Sequence, residues 1–227
     1  MHDPDPDDEP GAFASPACFM HKIDGDYMGT PSASMPRPAV MAWRRTQRAR
    51  LIAERLAMTP ADRTERAARI AGHLDTVLED VAGKTVSSYW PLRGEPNLRS
   101  WVASVISRGA EHALPLVAEK NAPLVFRTWR PGEALIKGFW NIPVPEAGRE
   151  IVPDITLAPV VGFDRHGYRL GYGGGYFDRT LAALRKRPFV VGIGYEPAAI
   201  ETIHPLPHDI PLDVIVTDEA IRYREAR

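Results

Sequence analysis

The sequence predicts a three-layer α/β/α single domain with a mostly parallel central sheet, and three observations lead there. Strand-like apolar runs alternate with helical periodicities through residues 41–227, the pattern of crossover-connected parallel strands. Residues 189–195 are apolar without interruption, as in a strand buried on both faces. A further strand-like run at 157–163 leads into a connection with Gly162, Gly167, Gly171, Gly173, Gly174 and Gly175, and then into a helical segment at 176–185.

The elements follow in order. Residues 1–40 are rich in Pro, Asp, Ser and Gly and hold seven acids against Lys22 and Arg37. They bury too little apolar surface to offset ordering and are read as an irregular or disordered arm. Met35 and Met41 precede the first helix and are alternative translation starts. Residues 42–57 are helix formers without Gly or Pro. Arg44, Arg48 and Arg55 share one side of that helix, as a solvated basic face or as guanidinium forks that reach a phosphate chain. Thr59, Pro60 and Asp62 start a second helix as N-cap, first helical residue and first-turn acid. Its stripe of Ile70, Leu74, Val77, Leu78 and Val81 is core. Strands are expected at 85–90, 111–117, 123–129 and 213–217, a third helix at 97–108, and a proline-fixed loop with two aromatics at 138–145.

Composition limits the function classes. The chain has 227 residues, 44% hydrophobic and 25% charged, with a net charge of -1. This fits one globular domain with no overall pull toward nucleic acid or membrane. No apolar run approaches the roughly 20 residues of a membrane span, and no signal-peptide layout opens the chain. Cys18 is the only cysteine, so an internal disulfide and a cysteine-rich metal site are excluded. A cytoplasmic address is the resulting expectation.

Ligands of parallel sheets bind beyond the carboxyl ends of the strands. The glycine connection, residues 90–95 and the segment after Tyr195 all follow strands there and are expected to share a cleft. Small residues between a strand and a helix let backbone N–H groups approach an anion; an ordinary turn-rich connection is the alternative. Two common nucleotide motifs fail. No Gly-x4-Gly-Lys-Ser/Thr string exists, and a Gly-x-Gly-x-x-Gly fingerprint from Gly171 meets Tyr176 where glycine is required.

The string Gly162-Phe-Asp-Arg-His-Gly-Tyr-Arg-Leu-Gly-Tyr-Gly-Gly-Gly-Tyr-Phe-Asp-Arg179 resembles the signature of the 5-formyltetrahydrofolate cyclo-ligases. The resemblance extends over residues 41–222. It includes the Arg-rich first helix, Glu95, the Trp140-Asn-Ile-Pro-Val-Pro145 segment and the His208-Asp-Ile-Pro-Leu-Asp213 segment. It implies an ATP- and Mg2+-dependent ring closure of 5-formyltetrahydrofolate to 5,10-methenyltetrahydrofolate, with ADP and phosphate released and an imidoyl phosphate on N5 as intermediate. Such chemistry demands positioning and charge neutralisation more than a nucleophilic side chain. A divergent relative with another ligand and a non-catalytic folate or nucleotide binder are the alternatives.

The site residues carried over by resemblance fall into three sets. Arg44, Arg48, Arg169, Leu170, Gly171, Tyr172, Gly173, Gly174, Gly175, Tyr176 and Phe177 meet ATP, and Arg169 and Tyr176 are the catalytic candidates. Trp90, Glu95, Trp140, Tyr172, Tyr176 and the glycines 173–175 meet the folate, Glu95 through the pterin donors and the aromatics by stacking. Asp178 and Asp209 hold Mg2+. On residue type alone, Arg169 is equally a structural ion-pair partner, Asp178 a first-turn dipole partner and Asp209 a turn residue. Two departures stand out: Arg44 where the family has Lys, unless that position is shifted to Arg45, and Phe177 where it commonly has a second Tyr. His204 and His208 are separated by two prolines, which forbids a helical metal pair. The expected partners are small molecules only, and the expected state is a monomer.

Overall fold

A computed structural model describes residues 35–225 of the chain. The expected arm lies outside the described residues as far as position 34, and so does Cys18. The α/β unit spans Arg37–Arg227.

Helix α1, Arg37–Ala57, begins earlier than the sequence pattern predicts. Pro38 suits a first helical turn, and Val40 is buried at 3% exposure, so the start of the helix is already anchored. The buried stripe of α1 is Val40, Arg44, Leu51 and Arg55. Two of its four members are therefore arginines. Helix α2, Pro60–Val77, opens with the predicted cap: Asp62 N–H donates to Thr59 Oγ1 at 3.1 Å, and Thr59 N–H donates to Asp62 Oδ2 at 3.3 Å.

Strand β1 is Thr85–Ser87, helix α3 is Arg99–Ser107, and strands β2 to β6 are Glu111–Leu116, Val125–Thr128, Leu135–Lys137, Pro143–Pro145 and Glu150–Ile151. Strand β7 is Ile155–Pro159, β8 is Gly162–Phe163, β9 is Arg169–Leu170, and helix α4 is Tyr176–Ala183. Strands β10 (Phe189–Ile193), β11 (Val214–Val216) and β12 (Ile221–Tyr223) complete the unit. The main sheet has eight strands in the order β12-β11-β10-β7-β1-β2-β3-β6. Its central five, from β11 to β2, are parallel; β12 and β3 run antiparallel to them, and β6 pairs antiparallel with β3.

Side-chain alternation assigns the layers. Ile155 and Leu157 of β7, Val191 and Ile193 of β10, and Val214 and Val216 of β11 face Ile70 and Leu74 of α2 and Trp101, Val102 and Val105 of α3. Ala158, Val190 and Ile215 from the same strands face Leu181 of α4. Leu51 of α1 packs with Val161, Leu170 and Ile203. Helices thus cover both faces of the sheet, which is the expected three-layer architecture.

Two local differences from the sequence reading shape the site. The run 157–163 is not one strand: after Pro159 the chain leaves the main sheet and β8 pairs with β9, Phe163 opposite Arg169. This hairpin aims the glycine connection back across the strand ends. The segment 138–145 is also more than a loop, because β5 pairs with β4 around a 3₁₀ turn at Phe139–Asn141. Trp140 sits in that turn at φ 54°, a left-handed conformation that costs an L-residue about 1–2 kcal/mol.

Candidate active site

The cleft lies beyond the carboxyl ends of β1, β7 and β10, where the segments after these strands meet. Tyr195 Oη, after β10, donates to Gly94 O at 3.2 Å. Tyr172 Oη, in the glycine loop, donates to Glu95 Oε1 at 2.8 Å. Glu95 closes its own turn by accepting from Leu92 N–H at 2.9 Å. It is 6% exposed, and burial pushes its carboxyl up against the opposing pull of the Leu92 N–H, Arg55 and Tyr172. A cavity of about 420 Å³ lies beside it, lined by Arg63, Ala67, Ala71, Glu95, Asn97 and Trp101 among others.

The loop from Gly171 to Gly175 curls over α1. Arg48 Nε donates to Gly171 O at 2.7 Å, and its guanidinium faces Gly173, where an added Cβ would stand 3.5 Å from Cζ at φ +104°. The conformation selects glycine there, while the contact itself is of ordinary van der Waals length. Among the described residues the two Nη groups of Arg48 make no hydrogen bond, so they are available to an anion. Burial and the neighbouring Arg44 and Arg45 lower the Arg48 pKa. Gly175, at φ 64°, caps α4 from the left-handed region.

Two bidentate ion pairs stand behind the loop. Arg169 Nη1 and Nη2 donate to Asp178 Oδ1 and Oδ2 at 3.1 and 3.0 Å, and the same guanidinium lies 5.3 Å from the Phe177 ring centroid. Arg44 Nη1 and Nη2 donate to Asp209 Oδ1 and Oδ2 at 3.3 and 2.5 Å, with further bonds to Ile203 O and His204 O. The two pairs are linked, since Ile210 N–H donates to Asp178 Oδ1 at 3.1 Å. Asp178 and Asp209 are therefore brought together by one peptide unit. Each is balanced by an arginine that the sequence reading gave to ATP.

The aromatic candidates divide. Trp140 meets Tyr176 edge-on at 5.5 Å between centroids and is 58% exposed, and Tyr176 Oη accepts from Asn121 N–H at 3.3 Å. Trp90 instead packs edge-on against Trp129 and under Arg99. Phe177 packs against the cluster of Phe163 and Leu181, where an apolar ring is at home. His204 lies edge-on to Trp43, and the prolines around it keep it off any helix, as expected. Leu170 is core, 1% exposed. The residue missed as a site member is Arg55, whose Nη2 donates to Tyr172 Oη at 2.6 Å. Its signal was its place on one helix side with Arg44 and Arg48.

Comparison with known sequences decides the family, because the sequence model of the 5-formyltetrahydrofolate cyclo-ligase family matches residues 40–218. The chain belongs to that family. Two curated 5-formyltetrahydrofolate cyclo-ligases, from Mycolicibacterium smegmatis and Escherichia coli K12, are each 28% identical. Their matches cover 75% and 74% of this chain and 91% and 96% of theirs. The NMR structure of the Aquifex aeolicus 5,10-methenyltetrahydrofolate synthetase superposes with a TM-score of 0.70 at 28% identity, over 81% of this chain and 94% of that one. The Mycoplasma pneumoniae 5,10-methenyltetrahydrofolate synthetase shares the fold at a TM-score of 0.64 and 22% identity, over 77% of this chain and 98% of that one. As a cyclo-ligase family member the chain is an enzyme of the ligase class, and its glycine loop, Glu95 turn and paired aspartates converge on one cleft. No helix among the described residues is long and apolar enough to cross a membrane.

Proposed function

We propose that this protein closes the ring of 5-formyltetrahydrofolate to 5,10-methenyltetrahydrofolate at the expense of ATP. The observation that carries this reading is the 2.8 Å hydrogen bond from Tyr172 to Glu95. It brings the loop expected to hold nucleotide and the carboxylate expected to hold the pterin into direct contact, as transfer between two bound substrates requires.

In this reading the formyl oxygen attacks the γ-phosphorus, the bond to the bridging oxygen breaks, and ADP leaves. N10 then attacks the formyl carbon of the resulting imidoyl phosphate, loses its proton, and phosphate departs. Arg48 offers its Nη groups to the phosphates, and the backbone of residues 171–175 lines their other side. Arg44 and Arg169 add positive charge from behind the loop, each balanced by an aspartate. Tyr176 stands at the mouth between this charge and the Trp140 ring, where it orients the reacting groups. Glu95 accepts from the pterin donors, and the aromatic edges of Trp140 and Tyr176 wall the ring; Trp90 belongs to this set only at its periphery.

Magnesium fits the donor set. The ion takes oxygen ligands, commonly one or two carboxylates with phosphates and water making up the rest, and Asp178 and Asp209 are carboxylates on linked backbone. No group of three or more His, Cys, Asp or Glu suited to a metal is present among the described residues. The remaining ligands therefore come with the nucleotide. Bound there, the ion supplies neutralisation of phosphate charge. The cytoplasmic address and the monomeric state expected from the sequence belong to the same reading.

The test is direct. Purified protein is given 5-formyltetrahydrofolate and Mg·ATP, and methenyl-folate absorbance is followed with ADP release. A rise that requires both ATP and Mg2+ is expected. Binding of both ligands without turnover would leave a non-catalytic binder instead.

A further inference from the structure

Arg55 belongs to neither the phosphate set nor the pterin set, yet it is buried at 5% exposure on α1. A buried guanidinium is costly unless its charge is met. Among the described residues Arg55 has no direct carboxylate partner. Its Nε donates to Arg93 O at 2.9 Å and its Nη2 to Tyr172 Oη at 2.6 Å. The Tyr172 hydroxyl in turn donates a hydrogen bond to Glu95 Oε1 at 2.8 Å, while Glu95 Oε2 accepts from the Leu92 N–H. The positive and negative groups are thus joined through a phenol rather than directly. Tyr172 is 42% exposed on the glycine loop, whereas the Leu92 N–H belongs to the turn of Glu95 itself, so of the two groups on Glu95 the phenol is the one able to leave.

We propose that Arg55 is a positioning residue for Glu95: through the Tyr172 hydroxyl it fixes the carboxylate, and Tyr172 holds in the free protein the place that an N–H donor of the folate ring takes on binding. The proposal rests on the folate reading above. It gives the loop a latch, because the segment that carries Tyr172 also carries the glycines against Arg48. Folate that displaces the hydroxyl changes the state of the nucleotide loop, and by linkage nucleotide alters folate affinity by the same factor.

Several charged or titratable groups surround Glu95: Arg55 from α1, Arg63 from α2 beside Gly94, Arg93 in the same turn, Tyr172 from the loop, Tyr89 after β1 and Tyr195 after β10. Burial raises the carboxyl, and Arg55 is one of the groups that hold it down. Only the ionised form accepts from two pterin donors. Removing Arg55 raises the carboxyl further, so the acid limb of kcat/KM for folate moves to higher pH.

The experiment compares wild type with Arg55→Met, Arg55→Lys and Tyr172→Phe. In Arg55→Met the KM for 5-formyltetrahydrofolate is expected to rise ~10-fold with that for ATP within ~2-fold, a loss typical of an outer partner of a site residue. Its acid limb should move up by ~1 pH unit, and Arg55→Lys should restore most of that movement because the charge remains. Hydrogen exchange across residues 171–175 in ligand-free protein should quicken in Arg55→Met and Tyr172→Phe alike. An unmoved acid limb, a KM change confined to ATP, or unchanged loop exchange in both variants overturns the proposal. A wild type without turnover overturns the folate reading instead, and ligand-free exchange then decides the Arg55–Tyr172–Glu95 unit by itself.

Discussion

Arg169 and Asp178 face each other fork to fork, with two nearly parallel hydrogen bonds of 3.1 and 3.0 Å. They span the hairpin β8–β9 and the first turn of α4. By family resemblance the arginine belongs to the nucleotide and the aspartate to the metal. In the free protein each satisfies the other.

This pairing changes what removal of the carboxylate means. Asp178→Ala should lower kcat/KM by ~100-fold, the scale on which metal-site groups act, and should weaken the Mg2+ dependence. Asp178→Asn, which keeps a hydrogen-bond acceptor for Arg169, should recover folding stability but not activity. Steady-state kinetics against Mg2+ concentration, beside thermal melts, separates the two effects. Wild-type-like kinetics in Asp178→Ala would remove it from the metal site.

Both aspartates are charge-balanced by arginine, so the pair presents no net negative charge to a free cation. Titration of Mn2+ or Mg2+ into ligand-free protein should give no site tighter than ~1 mM, the weak end for oxygen-ligand sites. Addition of a non-hydrolysable ATP analogue should create one. A tight site without nucleotide would contradict the balanced pairs.

Arg44 and Arg48 lie one turn apart on α1 but should answer mutation differently. Arg44→Ala strands Asp209, whose side chain is only 9% exposed, and breaking such a buried pair costs about 3–5 kcal/mol. Arg48→Ala should leave the melting temperature nearly unchanged and weaken ATP binding by about 1.5–3 kcal/mol, the worth of a charged hydrogen bond. Denaturant melts and nucleotide titrations of both variants check this. Equal stability losses would disprove the distinction.

Trp140 is exposed and left-handed, so its conformation is not maintained by burial of its ring. Trp140→Gly should stabilise the fold by about 1 kcal/mol, through relief of the left-handed cost, while the folate KM rises. A variant that loses both stability and affinity would show that the ring holds the β4–β5 turn instead.

His112 is buried against Trp129 and takes no part in the proposed chemistry. Burial lowers its pKa from 6.5 to about 4, and its nitrogens contact Ser88 Oγ and Trp129 O. The folded value lies below the unfolded one, so its contribution is present above pH 6.5 and is lost as pH falls toward 4. At about 1.4 kcal/mol per unit this is roughly 3 kcal/mol. His112→Gln should flatten the stability curve between pH 6.5 and 4, read by urea melts at each pH.

Much of the fold was legible because its signals are local. The Thr59–Asp62 cap, the helical stripe of Ile70 and Leu74, and the two-sided burial of residues 190–193 depend only on periodicity and residue type. The strand boundaries at Pro159 and Gly162 were not legible, since β8 leaves the main sheet to pair with β9, where Arg169 meets the half-buried Asp178. The candidates for the site could be named from the sequence: Gly171, Gly173, Gly174, Gly175, Glu95, Asp178 and Asp209 each stand in one string or short segment. The pairings among them could not. That Arg44 turns to Asp209, Arg48 to Gly171 O and Arg55 to Tyr172 depends on which loop the sheet order delivers to each turn of α1. One helix face of three arginines looks uniform in the sequence, and only the tertiary structure gives its members three different partners.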